Sequence, residues 1–204
     1  MSFNVFFGKI ILGNISKLYS SRYVRGVCRE CKPFIKSSSK ILDLGCGRGE
    51  TTCGLREYFK SEVIGADIQD VRTKNFPFQI INEKDLPFED SSFDVIFIRY
   101  VLHHTQDPIS ILKEAKRVSR GKIIIYEDLP EGVFSKIFCE IHGLTFGLFL
   151  QPKFKKLNFK KSSEWKKIFA QLGLKIVFEK KFFSFLETCL FYPVQKIFFV
   201  LEKQ

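Results

Sequence analysis

The hydrophobic pattern alternates along the chain between short apolar runs and longer amphipathic stretches. The run Phe-Asp-Val-Ile-Phe-Ile-Arg at 93–99 is nearly continuous in apolar residues, as expected for a strand covered on both faces. The predicted strands are 40–44, 63–67, 79–82, 93–99, 122–126, 174–180 and 195–202. The predicted helices are 14–35, 50–60, 108–118 and 162–173, with an apolar helix or lid at 131–150. Strands that alternate with helices predict an α/β fold with a parallel sheet.

Local signals place several helix ends. Pro108 favours the first turn of a helix, and Gly121 is expected to close that helix. Ser162, Ser163 and Glu164 are residues that typically cap a helix N-terminus, so a helix is expected to begin there. Gly173 is expected to follow the end of the same helix.

Composition limits the classes of protein that fit. The 204 residues suit one α/β domain, and 45% hydrophobic residues exclude a disordered chain. A net charge of +11 favours an anionic partner such as nucleic acid or a membrane surface, or else a lysine-rich surface that confers solubility. No apolar run reaches the roughly 18 residues of a membrane span, and no targeting signal is evident. A cytoplasmic location is therefore expected, with reduced cysteines.

The spacing of Cys28 and Cys31 resembles half of a zinc site. A structural zinc needs four ligands, and the sequence offers no second cysteine or histidine pair. No metal site is predicted.

A glycine-rich loop follows the first predicted strand, at Gly45, Gly47 and Gly49. Glycines between a strand and a helix let a nucleotide-type ligand approach the backbone. Glu50 stands where a dinucleotide fingerprint has its third glycine, and its carboxylate would oppose a pyrophosphate. The loop therefore favours a phosphate-free, cationic adenosine ligand such as S-adenosylmethionine (SAM), with Asp43 near its positive charge, directly or through water.

Asp67 ends the second predicted strand, 24 residues after Asp43. An acid at this place in an open α/β sheet binds two ribose hydroxyls. Its alternative role is that of a turn residue or a helix cap.

Six stretches in this order resemble the class I SAM-dependent methyltransferases, especially the broad group that methylates small molecules and lipids. The matching stretches are Ile41–Glu50, Val63–Asp67, Asp85–Phe88, Ser92–Ile96, Val101–His104 and Ile111–Glu114. The resemblance implies one domain over residues 1–204, with an N-terminal helical region at 1–37 and a helical lid over the substrate site at 129–161. It also implies a doubly wound, mostly parallel seven-stranded sheet with an antiparallel last strand.

The same resemblance implies the cofactor contacts. The segment from Asn82 to Leu86 is expected to edge the adenine, although the family often has Asp where Asn82 stands. Tyr19 or Tyr23 is expected to close over the cofactor. The predicted cofactor-binding residues are Asp43, Gly45, Cys46, Gly47, Asp67, Ile68, Asn82, Glu83, Asp85, Leu86, Arg99, Tyr100 and His104.

Methyl transfer from a sulfonium needs alignment first, and a base only when the nucleophile must lose a proton. His103 and His104 are the candidate bases, and local packing is the alternative role of each. Second candidates, at the end of the fifth predicted strand, are Tyr126, Glu127 and Asp128.

The acceptor is expected to be a hydrophobic small molecule or lipid, because the lid segment is apolar. Lysines at 153, 155, 156, 160 and 161 allow peripheral contact with an anionic membrane. An RNA-modifying methyltransferase is the second alternative. Only the net charge supports it, and the sequence lacks the proline motifs typical of base methylation. The third reading is a SAM-binding protein that supports a partner without catalysis.

Overall fold

The computed structural model describes residues 21–82, 84–149, 157–183 and 193–204. Seven strands form one sheet. They are β1 (Lys40–Leu44), β2 (Glu62–Asp67), β3 (Phe78–Ile80), β4 (Phe93–Arg99), β5 (Ser119–Leu129), β6 (Leu174–Phe183) and β7 (Gln195–Lys203). Their order in the sheet is β3-β2-β1-β4-β5-β7-β6. All pairings are parallel except those of β7, which runs antiparallel to both β5 and β6. The predicted fold class, including the antiparallel last strand, is confirmed.

Helices cover both faces of this sheet. They are α1, described over residues 21–31, α2 (Glu50–Phe59), α3 (Pro108–Val118), α4 (Val133–Phe149) and α5 (Ser162–Gln171). A short 3-10 turn at Leu102–His104 follows β4. No helix among the described residues is both long and apolar enough to cross a bilayer.

The core divides into two clusters, because successive strand residues point to opposite faces. One cluster joins Leu42, Ile96 and Ile123 to α3 and α5. The other joins Ile41 and Phe97 to α1 and α2. The near-continuous apolar composition of β4 is explained by this burial on both sides.

The ends of α3 illustrate how sequence sets an element. Asp107 is the N-cap, and its side chain accepts hydrogen bonds from the backbone N–H groups of Ile109 and Ser110. Pro108 follows at the first helical position, as predicted. The helix ends at Val118, where Ser119 turns to an extended conformation.

The prediction that Gly121 closes α3 is wrong. Gly121 lies inside β5, which starts at Ser119 and is longer than predicted. A Cβ atom at Gly121 would lie 2.3 Å from the backbone oxygen of Asp94. The glycine therefore permits a close approach between β5 and the start of β4.

Candidate functional site

The loop after β1 forms the floor of a cleft at the carboxyl edge of the sheet. Gly45, Gly47 and Gly49 all have positive φ, at 77°, 52° and 90°. A Cβ atom at Gly45 would lie 2.3 Å from Val101, and one at Gly49 would lie 2.0 Å from Phe76. At Gly47 a Cβ atom would meet no protein atom within 4 Å. Two glycines therefore serve packing, and Gly47 alone faces open space.

The cleft has a volume of about 310 Å³ and opens where β1 lies between β2 and β4. Strand order reverses there, which is the usual ligand position in open α/β sheets. Most of the lining is apolar. The lining residues are Leu44, Gly45, Gly47, Asp67, Ile68, Gln69, Val71, Ile81, Tyr100, Val101, His104, Thr105 and Ile111.

Asp67 is the carboxylate of this cleft. Its Oδ2 accepts a hydrogen bond of 2.9 Å from the Gly47 N–H, and its Oδ1 accepts one of 2.8 Å from the Ile68 N–H. A carboxylate has about four acceptor positions, so two remain for a ligand. This arrangement fits a pair of hydroxyl donors.

Asp43 lies beneath the loop and does not line the cleft. It is 2% exposed, and its Oδ2 accepts a hydrogen bond of 2.6 Å from the Thr52 hydroxyl. Burial raises the pKa of Asp43 to about 6, although Thr52 and Arg99 act in the opposite direction. Its contact with a cofactor through water stays a prediction.

The predicted adenine segment lies beside the cleft. Asn82 and Asp85 are exposed and form an isolated bridge. The Asn82 side chain accepts a hydrogen bond from the Lys84 N–H, and the Leu86 N–H donates to Glu114. Glu83 lies outside the described residues. Ile81 lines the cleft instead, so the adenine contact of this segment stays a prediction.

The end of β4 brings a strained residue to the cleft. Tyr100 has a φ of 56° and lines the cleft, and its N–H donates to the Tyr126 carbonyl. Its hydroxyl lies 3.3 Å from that of Tyr23 on α1. The guanidinium of Arg99 lies 5.1 Å from the centre of the Tyr23 ring. Tyr23 therefore reaches the cleft wall, whereas Tyr19 lies outside the described residues.

His103 is buried behind the cleft. Its Nδ1 lies 2.5 Å from Oε2 of Glu127, and both side chains are almost fully buried. Burial alone would lower the pKa of His103, but the Glu127 carboxylate raises it above the ordinary value. Oε1 of Glu127 accepts hydrogen bonds from the backbone N–H groups of Val101 and Leu102. Glu127 therefore fixes the turn that follows β4.

His104 lines the cleft and is the better placed of the two predicted bases. Burial, together with His103 and His142, lowers its pKa to about 3. A general base at neutral pH works best with a pKa near 7, so this value counts against His104. The base role of both histidines stays a prediction.

Of the predicted cofactor contacts, the structure brings Gly45, Gly47, Asp67, Ile68, Tyr100 and His104 together around the cleft. Cys46, Leu86 and Arg99 do not line it. Sequence reasoning missed Gln69, Val71, Val101 and Thr105, which lie on the loops after β2 and β4. The rule that ligands bind beyond the carboxyl ends of parallel strands would have indicated these loops.

The structure describes most of the segment predicted as an apolar helix or lid, 131–150. Helix α4 occupies most of this segment, and several of its apolar side chains are exposed. These are Val133, Phe134, Ile137, Ile141 and Leu144. Residues 150–156, with the lysines at 153, 155 and 156, lie outside the described residues.

The fold and the cleft together define a Rossmann-like domain of the methyltransferase type. A family model described as "Methyltransferase domain" matches residues 42–125. Residues 42–125 therefore form a methyltransferase domain that resembles those of the class I SAM-dependent family.

Part of the chain is also similar to known proteins. Demethylmenaquinone methyltransferase of Staphylococcus saprophyticus is 31% identical over 144 residues, which cover 64% of this chain and 61% of that protein. The chain spans 38% to 61% of the length of the first curated relatives it matches.

Two solved structures share the fold. A SAM-dependent methyltransferase from Archaeoglobus fulgidus has a TM-score of 0.68 at 18% identity, covering 99% of this chain and 100% of its own. Geranyl diphosphate C-methyltransferase from Streptomyces coelicolor A3(2) has a TM-score of 0.66 at 13% identity, covering 88% and 80%.

Proposed function

We propose that this chain binds SAM in the cleft and transfers its methyl group to a hydrophobic small molecule or lipid, releasing S-adenosylhomocysteine. The main support for this proposal is the hydrogen bond from the Gly47 N–H to the Asp67 carboxylate on the cleft floor. The carboxylate is held by two backbone N–H groups and keeps two acceptor positions for the ribose hydroxyls of an adenosine.

The cleft walls suit the rest of the cofactor. The apolar side chains of Ile68, Val71 and Ile81 provide surfaces for an adenine ring. Phosphate-binding chemistry is poorly supported, because Glu50 places a carboxylate in the first turn of α2, next to the loop. A sulfonium ligand carries no phosphate and fits this electrostatic arrangement.

Catalysis then depends mainly on alignment. The methyl group of a sulfonium is already activated, so the protein must hold the acceptor in line with the C–S bond. Tyr100, Val101 and Thr105 form the cleft wall at the end of β4, where the methionine portion is expected. The positive φ of Tyr100 is strain of the kind that accumulates at functional sites.

A hydrophobic acceptor is supported by α4. Val133, Phe134 and Leu144 are 74%, 71% and 67% exposed, which is unusual for large apolar side chains on one helix. Two proteins that this chain resembles are named for demethylmenaquinone and geranyl diphosphate, and each of these acceptors has a hydrophobic portion.

The exposed apolar side chains of α4 also support a position on a membrane surface. Ser162, which directly follows Lys160 and Lys161, donates a hydrogen bond to Glu131, two residues before α4. Flotation with anionic vesicles is expected to recover the protein, and Phe134→Glu is expected to reduce recovery. Lys136→Glu changes the charge of the same helix without removing an apolar side chain. Comparison of the two variants therefore separates the effect of charge from that of hydrophobic contact. Equal recovery of native protein and the Phe134 variant would contradict a role for this face.

The function is tested with SAM labelled in its methyl group and a total cell extract. Label is expected in the lipid or small-molecule fraction, and Gly47→Arg is expected to abolish the transfer. Label in RNA alone would favour the RNA-modifying alternative, for which the net charge of +11 is the support. SAM binding without label in any fraction would favour a non-catalytic partner protein.

A further inference from the structure

The chain has three histidines, and all three lie in one cluster. His103 and His104 belong to the turn after β4, and His142 belongs to α4. One nitrogen from each lies within 4.8 Å of the others. Among the described residues, this is the one group of three or more His, Cys, Asp and Glu side chains that is arranged to hold a metal ion. Cys28 and Cys31 are not part of it.

Glu127 orients one member of the cluster. Its Oε2 lies 2.5 Å from Nδ1 of His103, which leaves Nε2, across the ring, as the nitrogen that can bind a metal. A histidine that binds a metal almost always has its other nitrogen bonded to a carboxylate or carbonyl. The buried Glu127 supplies that partner, and two backbone N–H groups hold its second oxygen.

The surroundings make the cluster rigid on one side and open on the other. The Phe159 ring stacks on His103 with centroids 4.6 Å apart, and the Asn158 N–H donates to the His103 carbonyl. His104 lines the cleft. A metal held by the three imidazoles would therefore keep an open coordination position toward the cleft, as in catalytic zinc sites with three protein ligands.

We propose that His103, His104 and His142 bind a divalent transition-metal ion, with Zn²⁺ as the best fit to three imidazoles. This site does not rest on the proposed methyl transfer. Zinc–nitrogen bonds of about 2.0–2.1 Å require nitrogens about 3.4 Å apart in a tetrahedral site. The present spacing of up to 4.8 Å must therefore close by up to about 1.4 Å when the metal binds.

The test uses the full chain, purified without a polyhistidine tag and stripped with a chelator. Calorimetric titration with Zn²⁺ is expected to give one site per chain. Addition of Co²⁺ is expected to give the visible absorption of a four-coordinate site with three nitrogen ligands. His142→Ala and His104→Ala are each expected to weaken Zn²⁺ binding at least about 10-fold. Glu127→Gln is expected to weaken it about 10- to 100-fold.

Matched controls separate this site from others. Ile141→Ala changes the neighbouring residue on α4 and is expected to leave Zn²⁺ affinity unchanged. The double variant Cys28→Ser, Cys31→Ser is expected to bind as the native chain does. Circular dichroism establishes that each variant is folded. Absence of stoichiometric Zn²⁺ binding, or binding that survives in His142→Ala but is lost in the cysteine variant, would overturn the proposal.

Discussion

Gly47→Arg gives the sharpest separation between folding and ligand binding. The substitution places a side chain at a φ of 52°, in a position where a Cβ atom meets no protein atom within 4 Å. The left-handed backbone costs about 1–2 kcal/mol for a residue with a side chain. For a chain of this size, that cost lowers the melting temperature by about 2–8 °C. The domain should therefore remain folded at room temperature.

Its effect on SAM should be much larger. Gly47 lines the cleft and donates its N–H to Asp67, so an arginine side chain would occupy the ligand volume. We expect calorimetry to show SAM affinity reduced at least about 100-fold, which corresponds to about 2.7 kcal/mol.

Gly132→Arg is the matched control. Gly132 also has a positive φ, 83°, and also has no protein atom within 4 Å of an added Cβ, but it lies before α4 and does not line the cleft. A similar loss of thermal stability with unchanged SAM affinity is expected. Unchanged affinity in the Gly47 variant, or equal losses in both variants, would refute the role assigned to the loop.

Three further predictions follow from named contacts. Asp67→Asn removes the charge that accepts the ribose hydroxyls and should weaken SAM binding about 10- to 100-fold by calorimetry, since a hydrogen bond to a charged group contributes about 1.5–3 kcal/mol; an unchanged Kd would contradict this role. Burial raises the pKa of Asp43 to about 6, so the stability contributed by its protonated form is full below about pH 4 and is lost as the pH rises past about 6. The free energy of unfolding of Asp43→Asn, measured by urea denaturation, should therefore rise relative to that of the native chain by up to about 3 kcal/mol between about pH 4 and pH 8. A difference between the two proteins that stays constant over this pH range would contradict the raised pKa. Lys196 lies 2.7 Å from Asp128 in a buried ion pair, so Lys196→Met should destabilise the fold by about 3–5 kcal/mol, with much of the loss recovered when Asp128→Leu is added; a cost below about 1 kcal/mol would contradict the buried pairing.

The fold followed from the sequence because its signals are local. The apolar run of β4 and the glycine spacing after β1 each depend on a few consecutive residues. Gly121 misled because a glycine after a helix usually caps it, whereas here the close approach of Asp94, 27 residues earlier in the chain, sets its role. A tertiary contact of that kind leaves no periodic signal in the sequence.

The site was predicted in part for the same reason. Gly47 and Asp67 are fixed by strand ends, which sequence patterns locate well. Asp43 does not line the cleft, because the packing of α2 brings Thr52 to its carboxylate beneath the loop, and its contact with the ligand through water stays a prediction. The histidine cluster had no sequence signal, because His142 lies on a separate helix, 38 residues after His104.

The most direct measurement is calorimetric titration of the native chain with SAM, S-adenosylhomocysteine and a pyrophosphate-bearing dinucleotide such as NAD. We expect one site per chain that takes up the two sulfur-containing ligands, with no detectable binding of the dinucleotide. Firm binding of the dinucleotide, without uptake of SAM or its demethylated product, would contradict the assignment of this cleft.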